Sequence, residues 1–348
     1  MKKFISALLV AALALSLFTG CGKKEDTTTI YVYNWGQYIA EGDDDSIDVI
    51  AEFEKKYPNI KVQYSTFDSN ETMYAKLKNG GITVDVVIPS DYMIGRMRQE
   101  GMLQELNYDN IPNAKYIDDA YRGLSFDPED KYSVPYTWGT VGIIYNSKYV
   151  DEADVTGWEL LWNEKYAGKI LMFDNSRDAF GIAEYLLGYS VNTTDSAELQ
   201  ACADKLAEQK PVVQQYVMDQ IFDAMENEEA YIAPYYAGDY LTMVEENEDL
   251  AFYRPDHQGY NVFIDAMCIP TCAQEKEAAE LFINFMCAPE ISAANLDFIG
   301  YSVPASESKQ YLDEDIVNDP VSYPSAEELR NATSFDYLPE DTSRKMES

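Results

Sequence analysis

Histidine is almost missing from this sequence: His257 is the one copy, and without a partner cluster it leaves zinc short of its usual ligand set. Basic residues are scarce, 26 Lys and Arg against 61 Asp and Glu for a formal net charge of −35. Nucleic acid and anionic ligands are therefore poor partners, whereas a cationic ligand is drawn in on approach. Signatures of catalysis are also missing. There is no G-x-S-x-G elbow and no Walker-type glycine-rich loop. Acidic residues abound, but no spacing singles out the acid and base pair of a glycosidase. The reading is a binding protein, not an enzyme, with no cofactor and no metal. Long apolar runs are absent beyond Phe4–Phe18, which is shorter than the roughly 20 residues a spanning helix needs. Internal repeats and Pro- or Gly-rich linkers are absent too, and the one biased block is Glu41-Gly42-Asp43-Asp44-Asp45, a surface loop or a helix N-terminus.

What is present begins with Met1-Lys2-Lys3, the apolar run, and then Thr19-Gly20-Cys21. That order predicts a secretion signal over residues 1–20. Cys21 after a small pair resembles the lipobox of bacterial lipoproteins, with Phe18 where that pattern usually has leucine. A diacylated Cys21 would anchor the chain to the outer face of the cell membrane, with residues 21–28 as a polar tether. The remaining cysteines are Cys202, Cys268, Cys272 and Cys287. The Cys268-x-x-x-Cys272 spacing can hold a metal or a disulfide, but small apolar cysteines beside strand and helix residues are expected in the core.

The length beyond the signal predicts two lobes. Strand-like runs (29–34, 60–65, 84–89) alternate with helix-like ones (46–56, 70–79, 91–100), a βαβ rhythm that calls for a mainly parallel sheet. A second set repeats the class, with strands at 141–145, 170–173 and 231–234 and helices at 179–188, 196–209, 219–227 and 239–246. A strand at 261–269 and a helix at 276–286 follow, and periodicity does not say which sheet they join.

Ligands in open α/β sheets bind beyond the carboxyl ends of strands. The residues there are Asn34-Trp35-Gly36-Gln37-Tyr38, Pro89-Ser90-Asp91-Tyr92, Asp174-Asn175-Ser176-Arg177-Asp178 and Tyr235-Tyr236-Ala237-Gly238-Asp239-Tyr240. Phe263 and Asp265 alternate on one strand face, and Ile299-Gly300-Tyr301 closes a helix-like run. Aromatics and carboxylates recur, which implies a box for an alkyl ammonium: apolar walls for methylenes, π-faces and carboxylates for charged ends. A cation over an aromatic face gains only about 0.5–2 kcal/mol, so paired carboxylates must carry a buried ammonium. Asp239 and Asp265 are the main candidates.

Ser69-Asn70-Glu71-Thr72-Met73-Tyr74-Ala75-Lys76-Leu77-Lys78, with Tyr33-Asn34-Trp35, resembles the bacterial spermidine/putrescine-binding proteins. Val134-Pro135-Tyr136-Thr137-Trp138-Gly139, Gly188-Tyr189-Ser190, Asn192-Thr193-Thr194-Asp195, Asp265 through Ile269-Pro270 and Ile299-Gly300-Tyr301 continue the likeness in order. The resemblance implies an α/β, type II periplasmic-binding-protein fold. Lobe 1 would take residues 29–138 plus 259–301 and lobe 2 residues 139–258 plus 302–348, with chain crossings near 138–139, 258–260 and 301–304. It also implies capture of polyamine for an ABC permease and its ATPase, and a monomer is expected. Carried over residue by residue, the aromatic wall falls on Trp35, Tyr38, Tyr92 and Tyr301, the amine-binding carboxylate on Asp265 and a polar contact on Ser90. Tyr236 and Phe263 stand where the family has tryptophan. The Asp-x-x-Glu arrangement of spermidine-preferring members aligns with Asn175 and Asp178, while Ala237-Gly238-Asp239 resembles the putrescine-preferring ones, so the ligand is read as polyamine without choosing between them. Two alternatives stay open. Adjacent Tyr235-Tyr236 resembles the paired tyrosines of ferric-iron-binding members of the superfamily, and a receptor could sense polyamine without transport.

Overall fold

The computed structural model describes residues 27–43 and 46–347; the signal segment, the Cys21 anchor, most of the tether and Asp44-Asp45 lie outside them. Runs rich in β-branched and aromatic side chains form the first strands, β1 (Thr28–Trp35), β2 (Ile60–Phe67) and the short β3 (Val86–Val87). Between and after them lie α1 (Val49–Lys56), α2 (Asn70–Lys78) and α3 (Asp91–Gln99). Helix starts are set by side-chain caps: Asp48 accepts from the Ala51 amide, and Ser69 and Thr72 form a reciprocal capping box. β1 runs parallel to both β2 and β3, so the carboxyl ends of all three open on the same side.

A long strand, β4 (Ser133–Asn146), leads to β5 (Ile170–Phe173), α4 (Ser176–Leu187), α5 (Ser196–Gln209), β6 (Val213–Val217), α6 (Ile221–Glu226), β7 (Ile232–Tyr236), α7 (Ala237–Glu246) and β8 (Leu250–Tyr253). Then come β9 (Tyr260–Cys268), α8 (Lys276–Met286), α9 (Pro289–Phe298), the two-residue β10 (Ala332–Thr333) and α10 (Glu340–Glu347). Strand order is β2-β1-β3-β9-β4-β7-β5-β6, with β10 beside β9 and β8 beside β4.

The parallel groups β2-β1-β3 and β6-β5-β7 match the βαβ rhythm, and two antiparallel strands join them. Residues 133–140 of β4 pair with β9, whereas 141–145 pair with β7. One strand thus belongs to both halves of the sheet. Its first half escaped the periodicity reading because Pro135 breaks the pattern; the proline sits at a register shift between Pro135 and Thr137, where the ladder tolerates a missing donor. β9, whose sheet periodicity left open, pairs with β3 and β4. β6 and β8 were not legible either. Three of the five β6 residues face solvent, so no apolar alternation marks it.

Each half has an aromatic core. Phe53 packs edge-on against Phe282 and Phe285 in the first, and buried Trp158 donates its indole N–H to the Gly259 carbonyl at 2.8 Å in the second. Cys202, Cys268 and Cys287 are buried as expected; Cys272 departs from that expectation and is exposed, and among the described residues all four are free of disulfides. Among the described residues, no helix is long and apolar enough to cross a membrane.

Candidate functional site

Between the two sheet halves lies a pocket lined by residues of both, a usual setting for a small-molecule site. All eleven residues expected there line it: Trp35, Tyr38, Ser90, Tyr92, Asn175, Asp178, Tyr236, Asp239, Phe263, Asp265 and Tyr301. The strand ends explain the convergence. Trp35 ends β1 and Tyr38 follows it, Ser90 and Tyr92 follow β3, Asn175 and Asp178 follow β5, and Tyr236 ends β7 with Asp239 just beyond.

Aromatic rings build one wall by edge-to-face packing. Tyr38 meets Tyr301 at 4.8 Å and 84°, Tyr236 meets Phe263 at 5.3 Å and 76°, and Trp35 leans on Phe67 at 4.6 Å. The loop carrying Tyr38 is held from behind: its carbonyl accepts from Asn34 Nδ2 at 3.2 Å and from the Tyr136 phenol at 2.6 Å. Gln37 has φ 50°, a left-handed conformation rare outside glycine. That turn aims the Tyr38 phenol at Asp265, where it donates to Oδ2 at 2.6 Å. The other oxygen of Asp265 is buried and has no hydrogen-bond partner among the described residues, though the Ser90 side chain is near enough to favour the charged form.

Asn175 and Asp178 behave as a unit. Asn175 caps α4 by accepting from the Asp178 amide at 2.8 Å, and its own amide donates to Asp178 Oδ2 at 2.7 Å. The Tyr236 phenol donates to the same oxygen at 2.8 Å. Asn175 therefore orients a carboxylate rather than supplying one.

Three further carboxylates line the cavity that sequence reasoning did not assign: Glu71, Asp91 and Asp219. Glu71 sits in the first turn of α2 and accepts from the Tyr92 phenol at 2.9 Å. Asp219 lies between β6 and α6, close enough to Gly36 that a Cβ there would collide with its carboxylate. Gly36 and Asp219 thus bring the two halves into contact at one edge of the cavity. Asn261, two residues before Phe263, also faces inward and was findable from the period of two. Phe335 arrives from the returning C-terminal segment, which no local pattern announces.

Among the described residues, the lining holds six carboxylates and no lysine, arginine or histidine. Burial pushes all six up from the ordinary carboxylate range, Asp265 to about 6 and Asp239 to about 8. Desolvation disfavours each negative charge, and neighbouring carboxylates add repulsion at all but Asp178. Asp265 and Asp239 are more readily protonated in the folded than in the unfolded chain. Their contribution to stability is therefore full below about pH 4 and is lost as pH rises through about 6 and then about 8. Scanning calorimetry of the ligand-free protein should show an unfolding midpoint that falls from pH 5 to pH 9, with a shallower fall above pH 7 in Asp239→Asn. A flat profile would contradict this electrostatic account.

Residues 48–322 match the family of bacterial extracellular solute-binding proteins. The spermidine/putrescine-binding periplasmic protein of Escherichia coli K12 is 35% identical over 95% of this chain and 93% of its own. Among solved structures, the spermidine/putrescine ABC transporter substrate-binding protein PotD of Streptococcus pneumoniae has 36% identity and a TM-score of 0.76, over 92% of this chain and 97% of that one. The Tp0655 (TpPotD) lipoprotein of Treponema pallidum has 28% identity and a TM-score of 0.79, over 91% of this chain and 98% of that one.

Proposed function

The chain belongs to the bacterial extracellular solute-binding protein family, and from that premise we propose that it captures a polyamine, putrescine or spermidine, between two lobes and delivers it to the permease of an ABC importer. The observation that carries this reading is a wall of six carboxylates without one basic side chain, interleaved with Trp35, Tyr38, Tyr92, Tyr236 and Tyr301. Such a lining stabilises a flexible polycation and repels anions. A diamine would place one ammonium at Asp265 under the Tyr38 ring and the other at Asp239 beside Tyr301, its methylenes against the aromatic faces. Asp178, oriented by Asn175 and Tyr236, is available to a third amine.

In this reading the lobes are residues 29–138 plus 259–301 and 139–258 plus 302–348, and the shared strand β4 is one of the crossings about which they close. Export and a lipid anchor at Cys21 complete it, placing capture at the cell surface. The names of the relatives in Escherichia coli and Streptococcus pneumoniae support the ligand class, and that of the Treponema pallidum protein supports the anchor. Ferric iron fits less well. Tyr235 is buried and the Tyr236 phenol donates to Asp178, and burial pushes both phenols above their ordinary range, away from the phenolate an iron ligand requires.

Isothermal titration calorimetry of the protein from Gly22 onward against putrescine, spermidine and ferric citrate tests the proposal. One-to-one binding of a polyamine is expected. Heat with ferric citrate and none with either amine would overturn it.

A further inference from the structure

Asp91 opens α3 directly after Ser90 and is 2% exposed, on the cavity wall. Its Oδ1 accepts from the Tyr92 amide at 2.7 Å. Its Oδ2 is buried without a hydrogen-bond partner among the described residues; the Ile264 amide lies nearby but outside bonding geometry. Beside it stands Asp265, 4% exposed, with Oδ2 occupied by the Tyr38 phenol and Oδ1 likewise unpartnered. The two are held together because Ser90 bridges to Asp265 in antiparallel fashion and the Ala266 amide donates to the Pro89 carbonyl at 3.2 Å. Asp91 and Asp265 thus each keep one buried oxygen without a hydrogen-bond partner among the described residues, both on residues that line the cavity, with the Ser90 side chain close enough to Asp265 to favour its charge. An orphaned buried carboxylate oxygen costs the free protein stability, so a donor supplied by a ligand is favoured there.

Resting on the polyamine reading above, we propose that Asp91 is a second carboxylate of the Asp265 subsite, and that the pair makes this end of the cavity select a primary ammonium over methylated amines. A primary ammonium has three N–H donors, enough to reach Asp265 Oδ1 and Asp91 Oδ2 together while its third edge faces the aromatic wall. A trimethylated nitrogen offers none, and a dimethylated one offers a single N–H. The charged groups that act on Asp91 are Asp265 on β9, which disfavours its ionisation, and Arg177 on α4, which favours it, with burial the largest influence. A bound ammonium would hold both carboxylates ionised and release protons as it enters.

The alternative role for Asp91 is purely local, an acid at a helix start interacting with the backbone dipole, and the test separates the two. Calorimetry at pH 8 on Asp91→Asn is expected to show putrescine affinity lower by about 10- to 100-fold. Discrimination against N,N,N′,N′-tetramethylputrescine should narrow, and the ligand-free unfolding midpoint should be unchanged or raised. Asp91→Ser, which keeps a short acceptor at the helix start, should behave alike if the amide variant folds poorly. Wild-type affinity and discrimination in these variants, with a lowered midpoint, would overturn the proposal and leave polyamine binding standing. No binding of either amine by the unaltered protein would overturn both.

Discussion

Asp265→Asn lowers putrescine affinity by about 2–5 kcal/mol, the scale for removing one partner of a buried charge pair, while the ligand-free protein stays as stable as before or becomes more so. The divergence follows from the geometry. The carboxylate is 4% exposed, and one of its oxygens has no hydrogen-bond partner among the described residues. An asparagine can still accept from the Tyr38 phenol that now donates at 2.6 Å, so the loop after β1 keeps its support, and the amide relieves a buried negative charge. Titration calorimetry and a thermal melt on the same preparation read both halves of the prediction. Wild-type affinity would remove Asp265 from the site, and a large fall in stability would reassign it to the scaffold.

Gly238→Ala is expected to destabilise the protein by about 1–3 kcal/mol, the cost of overpacking a filled interior, and to weaken binding by at least as much. A Cβ at this position would overlap the ring of Tyr301. The contact is closed from the other side as well: Gly300, at φ +76°, lies where a Cβ would approach the Gly238 carbonyl oxygen to 2.5 Å. Neither backbone can retreat without moving Asp239 or Tyr301, the residues assigned to one end of the diamine. Thermal melts and putrescine titration check this. An alanine variant with unchanged binding would show that the Tyr301 ring can swing aside without consequence.

Much of this site was readable because its chemistry sits where topology gathers it. A residue at or just past the carboxyl end of a parallel strand lies at the mouth of the sheet whatever its neighbours are, and the resemblance chose among such residues, which is why Trp35, Ser90, Tyr236 and Asp239 were reachable. The same filter hid Asp91. It lies between Ser90 and Tyr92, yet nothing in the residues distinguishes a carboxylate turned into the cavity from one that only starts a helix. Glu71 was hidden by its place in the first turn of α2, where acids are common for helix-dipole reasons. Asp219 depends on β6, whose outward-facing side chains carry no burial pattern, and Phe335 depends on a long-range return of the chain beside β9. The fold class followed from the alternation of strands and helices. The sharing of β4 between both sheet halves is a matter of register, which alternation alone leaves open.

The four tryptophans are placed unequally. Trp138, Trp158 and Trp162 each donate the indole N–H to a backbone carbonyl, of Val303, Gly259 and Lys205. Of the four, Trp35 alone faces the cavity, and its N–H has no partner among the described residues. Three of the four fluorophores are thus locked into the scaffold, and one looks into the space that a ligand fills. The molecule carries its own optical gauge of occupancy, readable as intrinsic emission from the unlabelled chain and traceable to a single ring by replacing Trp35 with phenylalanine.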